Sequence, residues 1–279
     1  MHAYSIRSIA ASLAIVVAGA PPVAAQSDAE VAALFDAMGL PQMIETMREE
    51  GINYGAEIGE GLFQGRTSAD WDDAVETIYD ANKMKSRVLT QLTAELEGDD
   101  VAAMQDFFGS DFGQQVVTLE IAARRALLDD SIETASKEVA ALAMADETPR
   151  YQLVTEFIDA NDLVETNVAG ALNSNFAFYR GLMQGGAMGD EMGEDEILAT
   201  LWGQEPEIRQ STVEWVYSFL MLAYQPLSDE ALQQYIDFSN SDAGQQINAA
   251  MFNAFDGVFE DISFALGFAS TQVTQTEEL

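Results

Sequence analysis

Ten residues of this chain occur twice. Asp106-Phe107-Phe108-Gly109-Ser110-Asp111-Phe112-Gly113-Gln114-Gln115 returns as Asp237-Phe238-Ser239-Asn240-Ser241-Asp242-Ala243-Gly244-Gln245-Gln246, identical at seven of ten positions. Each copy offers a hydroxyl (Ser110, Ser241), a carboxylate (Asp111, Asp242), two amides (Gln114 and Gln115, Gln245 and Gln246) and an unhindered backbone N–H (Gly113, Gly244). A serine nucleophile needs a base beside it. The single histidine is His2 and there is no cysteine. Ser-His-Asp and Cys-His catalysis are thereby excluded, as are zinc sites built on His or Cys. Carboxylate, hydroxyl, amide or lysine chemistry remains. The spacing points to a joint instead. Ser110 and Ser241 suit helix N-caps, and Asp111 and Asp242 suit the positive helix end. Gly113 and Gly244 fall in the first turn, where the missing side chain would admit a neighbouring backbone or leave N–H groups open to an anion. No lysine or arginine stands nearby in sequence to help hold an anion, so backbone packing is the expectation. No catalytic residue, cofactor or metal ligand is assigned.

The elements that must carry these joints are helical. Thr67 or Ser68 is placed to cap a long helix whose apolar face runs Trp71, Val75, Ile78, Leu89, Leu92, Leu96. Asn82 and Lys85 fall on that stripe, readable as a polar site in a bundle or as a snorkelling lysine and a register-setting asparagine. Val101, Met104, Gln105 and Phe108 mark a short helix. The helix after Ser110 is expected to reach about Ala143, and the one after Ser241 about Gly267. Small residues recur every four positions at Gly51, Gly55, Gly59 and at Ala169, Asn173, Ala177, Gly181, Gly185. Such stripes let helices approach closely or wall a narrow groove.

The repetition extends outward. Leu34 to Leu40 resembles Phe157 to Leu163, and Trp71 aligns with Trp202. Eight extra residues in the second copy are placed in the Gly-rich acidic segment Gly185 to Glu196. The expectation is an all-α fold of two related helical-bundle halves from an internal duplication. The halves are residues 26–149 and 150–269, divided near Pro149. Residues 270–279 lack periodicity and are expected to form a flexible tail.

Residues 1–25 have the pattern of a signal peptide: His2 and Arg7, an apolar run Ile9 to Ala20, then Pro21-Pro22 and Val23-Ala24-Ala25. Cleavage after Ala25 would leave about 254 residues with 11 basic against 47 acidic side chains, a formal charge near −36. A periplasmic or secreted location follows as an expectation. Nucleic acid and anionic lipid headgroups are disfavoured as partners, because both are bound through Lys and Arg. The apolar run Val213 to Tyr224 is too short to span a bilayer and carries Glu214, so it reads as a buried helix.

The segment Leu227-Ser228-Asp229-Glu230-Ala231-Leu232, then Tyr235-Ile236-Asp237-Phe238, then Ser241-Asp242-Ala243-Gly244-Gln245-Gln246 resembles exported bacterial proteins of family 2059 of the domains of unknown function. The first half keeps Phe107, Ser110, Gly113, Gln114 and Gln115, but has Leu96-Glu97-Gly98-Asp99-Asp100 where the Leu-Ser start belongs. The resemblance implies two tandem all-helical exported units and no catalytic residues.

Three functions fit. The first is a non-enzymatic binding or envelope-scaffold protein holding an apolar ligand or a protein partner, a second copy of the chain in a homo-oligomer included, in a groove between the halves. The second is a hydrolase of envelope glycans, which needs two facing carboxylates in a cleft. The third, cation binding by Asp190 to Glu196, lacks the ligand spacing calcium requires. The first is the expectation. Any site is expected between the halves rather than at the repeated segment.

Overall fold

The computed structural model describes residues 23–62, 69–97, 101–187 and 193–277. Among these the chain forms twelve α-helices and no β-strand, as the periodicity anticipates. They are α1 (Val23–Ala37), α2 (Leu40–Leu62), α3 (Ala69–Ile78), α4 (Ala81–Glu95), α5 (Ala102–Phe108), α6 (Asp111–Ala126), α7 (Asp130–Ala145), α8 (Pro149–Ala160), α9 (Leu163–Gln184), α10 (Glu194–Ala223), α11 (Asp229–Ser239) and α12 (Asp242–Glu277). Thr67, Ser68 and the expected signal segment up to residue 22 lie outside the described residues.

The first small-residue stripe is a packing surface. A side chain at Gly51, Gly55 or Gly59 would collide with Tyr79, Val75 or Trp71, respectively. Ascending α2 therefore meets descending α3, four residues against four, and the two helices run antiparallel. The indole Nε1 of Trp71 donates to the carbonyl of Gly55 at 2.8 Å. Trp71 is 1% exposed.

The long helix expected from Trp71 to Leu96 is broken. Asp80 adopts extended backbone and its carboxylate accepts from the Lys83 N–H at 2.9 Å, starting α4 afresh. That restart turns Met84, Val88 and Leu92 inward and leaves Asn82 exposed. Lys85, half-buried, pairs with Glu45 at 2.6 Å. Neither forms a polar site in the bundle. The helix after Ser110 also ends early, at Ala126. Asp129 accepts from the Ser131 N–H at 2.9 Å and begins α7.

In the second half the corresponding region is one helix, α10, and the second stripe is used differently. Gly181 would meet the Phe264 carbonyl at 2.2 Å, and Gly267 the Phe178 carbonyl at 2.1 Å. α9 and α12 thus cross with backbones nearly touching. Ala169 and Asn173, at the start of that stripe, are exposed. With α12 covering this face of α9, Trp202 is left 66% exposed although it aligns in sequence with buried Trp71.

The apolar cores do not follow the two halves. One core joins α1 to α5 with α12, through Ile247, Ala254, Val258, Ile262 and Leu266. The other joins α6 and α7 with α8, α10 and α11. Adjacent Val116 and Val117 of α6 face different cores. The last helices of each half therefore reach across the division: α12 packs on α9 of its own half and also on α3, α4 and α5, while α6 and α7 pack on α10. Residues 26–149 and 150–269 are not two self-contained bundles.

The expected tail is also corrected. α12 runs to Glu277, and Ser270, Thr271 and Val273 are buried. Its threonines and serine conceal the helix from a hydrophobic pattern because their hydroxyls return to backbone carbonyls, as when Ser270 Oγ donates to Gly267 O at 2.8 Å. No helix among the described residues is long and apolar enough to cross a membrane.

Candidate functional site

The repeated segment builds the same joint at both places. Ser110 Oγ accepts from the Gly113 N–H at 3.0 Å and donates to Phe107 O at 2.6 Å. Ser241 Oγ accepts from Gly244 at 3.1 Å and donates to Phe238 O at 2.6 Å. Gln114 Nε2 donates to Ala37 O at 2.7 Å and Phe108 O at 2.6 Å. Gln245 Nε2 donates to Ala160 O at 2.6 Å and Ser239 O at 2.7 Å. A Cβ on Gly113 or Gly244 would lie 2.1 Å from the carbonyl of Phe107 or Phe238. That carbonyl occupies the space an anion would need. Asp111, Asp242, Gln115 and Gln246 are exposed. The hydroxyls of Ser110 and Ser241 and the amides of Gln114 and Gln245 are thus taken up by the protein's own backbone.

The joints meet each other. Phe107 and Phe238, the same position in the two copies, stack with ring centroids 3.7 Å apart and planes 5° from parallel. Beside this stack lies a cavity of about 510 Å³, and Phe108, Phe238, Ser239 and Gly244 form part of its wall. The rest of the wall comes from both halves. Met43 and Met47 come from α2, Val117, Glu120 and Arg124 from α6, Trp215 and Phe219 from α10, and Tyr224 caps the end of α10. Met251, Phe255 and Phe259 come from α12. The volume is ordinary for a small-molecule site, and the lining is mostly methionine and aromatic.

Few polar groups enter the cavity. Arg124 forms a fork on Glu50, Nε to Oε1 at 2.8 Å and Nη2 to Oε2 at 2.7 Å, and lies 5.6 Å from the Trp215 ring centre. Its side chain is 18% exposed. Its charge is therefore matched before any ligand arrives. Asn161, Asn167 and Asn248 donate to backbone carbonyls of Phe157, Leu163 and Asn161.

Glu120 differs. Its Oε1 accepts from Tyr224 Oη at 2.6 Å and from Tyr235 Oη at 3.2 Å. Oε2 accepts no hydrogen bond from the described residues, and Glu120 forms part of the cavity wall. Burial holds the Glu120 carboxyl above its ordinary value, partly offset by the two tyrosine hydroxyls. Burial, followed by the nearby Glu120 charge, raises both tyrosines far above theirs. Asp256, also in the wall, is raised by burial and by Glu260.

The sign of the Glu120 effect sets a prediction. A carboxyl whose folded pKa lies above 4.5 binds its proton more tightly in the fold than in the unfolded chain. Its contribution to stability is complete below that ordinary value and falls as pH rises through the folded pKa. The Glu120→Gln variant does not titrate there, and its amide oxygen still accepts from the tyrosines. The melting temperature of the variant should therefore gain on that of the wild type as pH rises from acid to neutral. Asp256 and the Arg124–Glu50 pair are present in both proteins and cancel. A difference that shrinks with pH would show that the tyrosine bonds, not burial, dominate at Glu120.

Glu120 and Tyr224 carry no sequence motif, and Tyr235, an aromatic position of the family pattern, gave no sign of its part in a site. One signal was available. Glu120 and Arg124 stand one turn apart on the same helix face as Val116 and Val117, charges placed on an apolar stripe. The acidic segment Asp190 to Glu196 falls partly outside the described residues. Among the described residues no three His, Cys, Asp or Glu side chains are grouped to hold a metal.

Comparison with known families gives one match. The family described as "Uncharacterized protein conserved in bacteria (DUF2059)" matches residues 82–141. That stretch runs from α4 into α7 and includes the first copy of the repeated segment, with Glu120 and Arg124. No curated protein and no solved structure matches significantly.

Proposed function

We propose that the protein is an exported, non-enzymatic binding protein that holds an apolar small molecule in the cavity beside the Phe107–Phe238 stack. The observation that carries this reading is the cavity itself. It measures about 510 Å³ and is walled by methionine and aromatic side chains from both halves of the chain. Ligand sites of this kind combine an apolar wall with a few polar groups that fix orientation. The four methionines Met38, Met43, Met47 and Met251 are unbranched and polarizable, which suits a wall that must fit ligands of varied outline.

The chain also reads as two copies of one unit, the second copy lying outside the matched family stretch. Support comes from the identical hydrogen bonds at the two joints and from the face-to-face meeting of Phe107 with Phe238. A two-fold relation brings equivalent residues together on its axis.

The second reading, a carboxylate hydrolase of envelope glycans, draws on the presence of Glu120 and Asp256 in one wall. It ranks lower because the cavity offers few unengaged hydrogen-bonding groups to hold sugar hydroxyls.

The test is organic extraction of protein purified natively from its own cells, followed by mass spectrometry. An apolar compound at about one per chain, absent from the extract of heat-denatured and washed protein, is expected. A clean extract, together with failure to take up any added apolar compound, would overturn the proposal.

A further inference from the structure

Resting on that reading, we infer that the ligand is an amphiphilic amine: an apolar body in the methionine and aromatic cavity, with its protonated nitrogen on Oε2 of Glu120. The charges around the cavity lead to this class by exclusion and by fit. A fatty acid or phosphate ester would need a free cation. Arg124 is the basic residue among the lining residues, and both of its contacts to Glu50 are already made. The rest of the chain repels anions, with 47 acidic against 12 basic residues.

The acidic groups are in the opposite condition. Glu120 Oε1 is held by two tyrosine hydroxyls, which fix the carboxylate in the cavity wall, while Oε2 has no donor among the described residues. Asp256 stands in the same wall and is engaged in no hydrogen bond or ion pair among the described residues. A carboxylate such as that of Glu120, desolvated beside an apolar wall and without a cation, is costly unless a ligand supplies the charge; Asp256, only partly buried, feels this less. A protonated amine supplies that charge, and its N–H donors suit Oε2. The apolar body is required because the remaining wall offers little else to hydrogen-bond.

The experiment displaces the neutral dye phenylnaphthylamine with octylamine, octanol and octanoate, which share one chain and differ in the headgroup. It is run in about 1 M salt, where the screening length is ~3 Å and attraction of any cation to the acidic surface is suppressed. Octylamine should displace the dye roughly tenfold or more tighter than octanol, and octanoate should be weakest. In Glu120→Gln the ratio of amine to alcohol affinity should fall to near unity, with a melting curve reporting that the variant is folded. Equal affinities of amine and alcohol in the wild type, or a preference for octanoate, would overturn the amine assignment and leave the apolar cavity standing. An amine preference that persists in the variant would overturn the role of Glu120. Failure of the dye to bind at all would overturn the cavity reading and this inference with it.

Discussion

Gly267→Ala is expected to destabilise the protein by about 1–3 kcal/mol, and Gly257→Ala, upstream on the same helix, to stabilise it by up to ~1 kcal/mol. Both glycines lie inside α12, so intrinsic helix propensity favours alanine equally at the two positions. Their surroundings decide the sign. A Cβ on Gly257 would meet nothing within 4 Å. A Cβ on Gly267 would lie 2.1 Å from the Phe178 carbonyl and 3.2 Å from the Leu182 nitrogen, both backbone atoms of α9. Backbone cannot rotate away as a flexible side chain can, so the two helices must separate. Gly181 makes the reciprocal approach to Phe264 O at 2.2 Å, and Gly181→Ala should act in the same direction. Because α12 also fills the core with α1 to α5, the loss should extend to the whole cooperative transition. Urea unfolding of the three variants measures this, and equal effects at Gly257 and Gly267 would contradict the close crossing.

Trp71→Ala should cost about 3–5 kcal/mol, a large part of the 5–15 kcal/mol that holds a typical domain folded. Trp71 is buried against Gly59 of α2, which has no side chain to extend into the space it would leave. Trp71→Phe keeps much of the ring but removes the donor to Gly55 O, at a cost of about 1–3 kcal/mol. Trp202, its partner in the sequence alignment, gives the control. At 66% exposed, Trp202→Ala should change stability by no more than ~0.5 kcal/mol. A Trp71→Ala loss as small as that of Trp202→Ala would refute the α2–α3 packing.

These two tryptophans show where sequence stops informing structure. What was legible was local. Ser110 and Ser241 read as caps because a hydroxyl three residues before a glycine N–H needs only its own turn to form the bond. The Gly51–Gly55–Gly59 stripe read as a packing face because its spacing is that of the helix. The breaks at Asp80 and Asp129 had a signal in each aspartate, and at Asp80 the polar Asn82 and Lys85 on the apolar stripe were a second one, but helical spacing resumes after each break and reads as continuation. What was not legible depends on chain topology. Nothing in the pattern of α12 says that it packs on α9 and across the other half as well, and nothing in the alignment of Trp71 with Trp202 says that one is buried and the other exposed. The cavity is hidden for the same reason. Glu120, Tyr224 and Asp256 lie far apart along the chain and come together only when α6, α10 and α12 converge. Composition did limit what they could be: with no histidine or cysteine beyond His2, the groups available to the site were carboxylates and phenols.

The cavity reading can be tested by filling it. Ala171 of α9 lies in the cavity wall, and so does Ser174 one turn later. Titration of phenylnaphthylamine into the wild type should give saturable fluorescence enhancement at about one dye per chain. Ala171→Trp, and independently Ser174→Phe, should weaken that binding by roughly tenfold or more while the melting transition stays cooperative, because the new side chain occupies the ligand's space. Dye affinity unchanged in both folded variants, or no saturable binding in the wild type, would contradict the account.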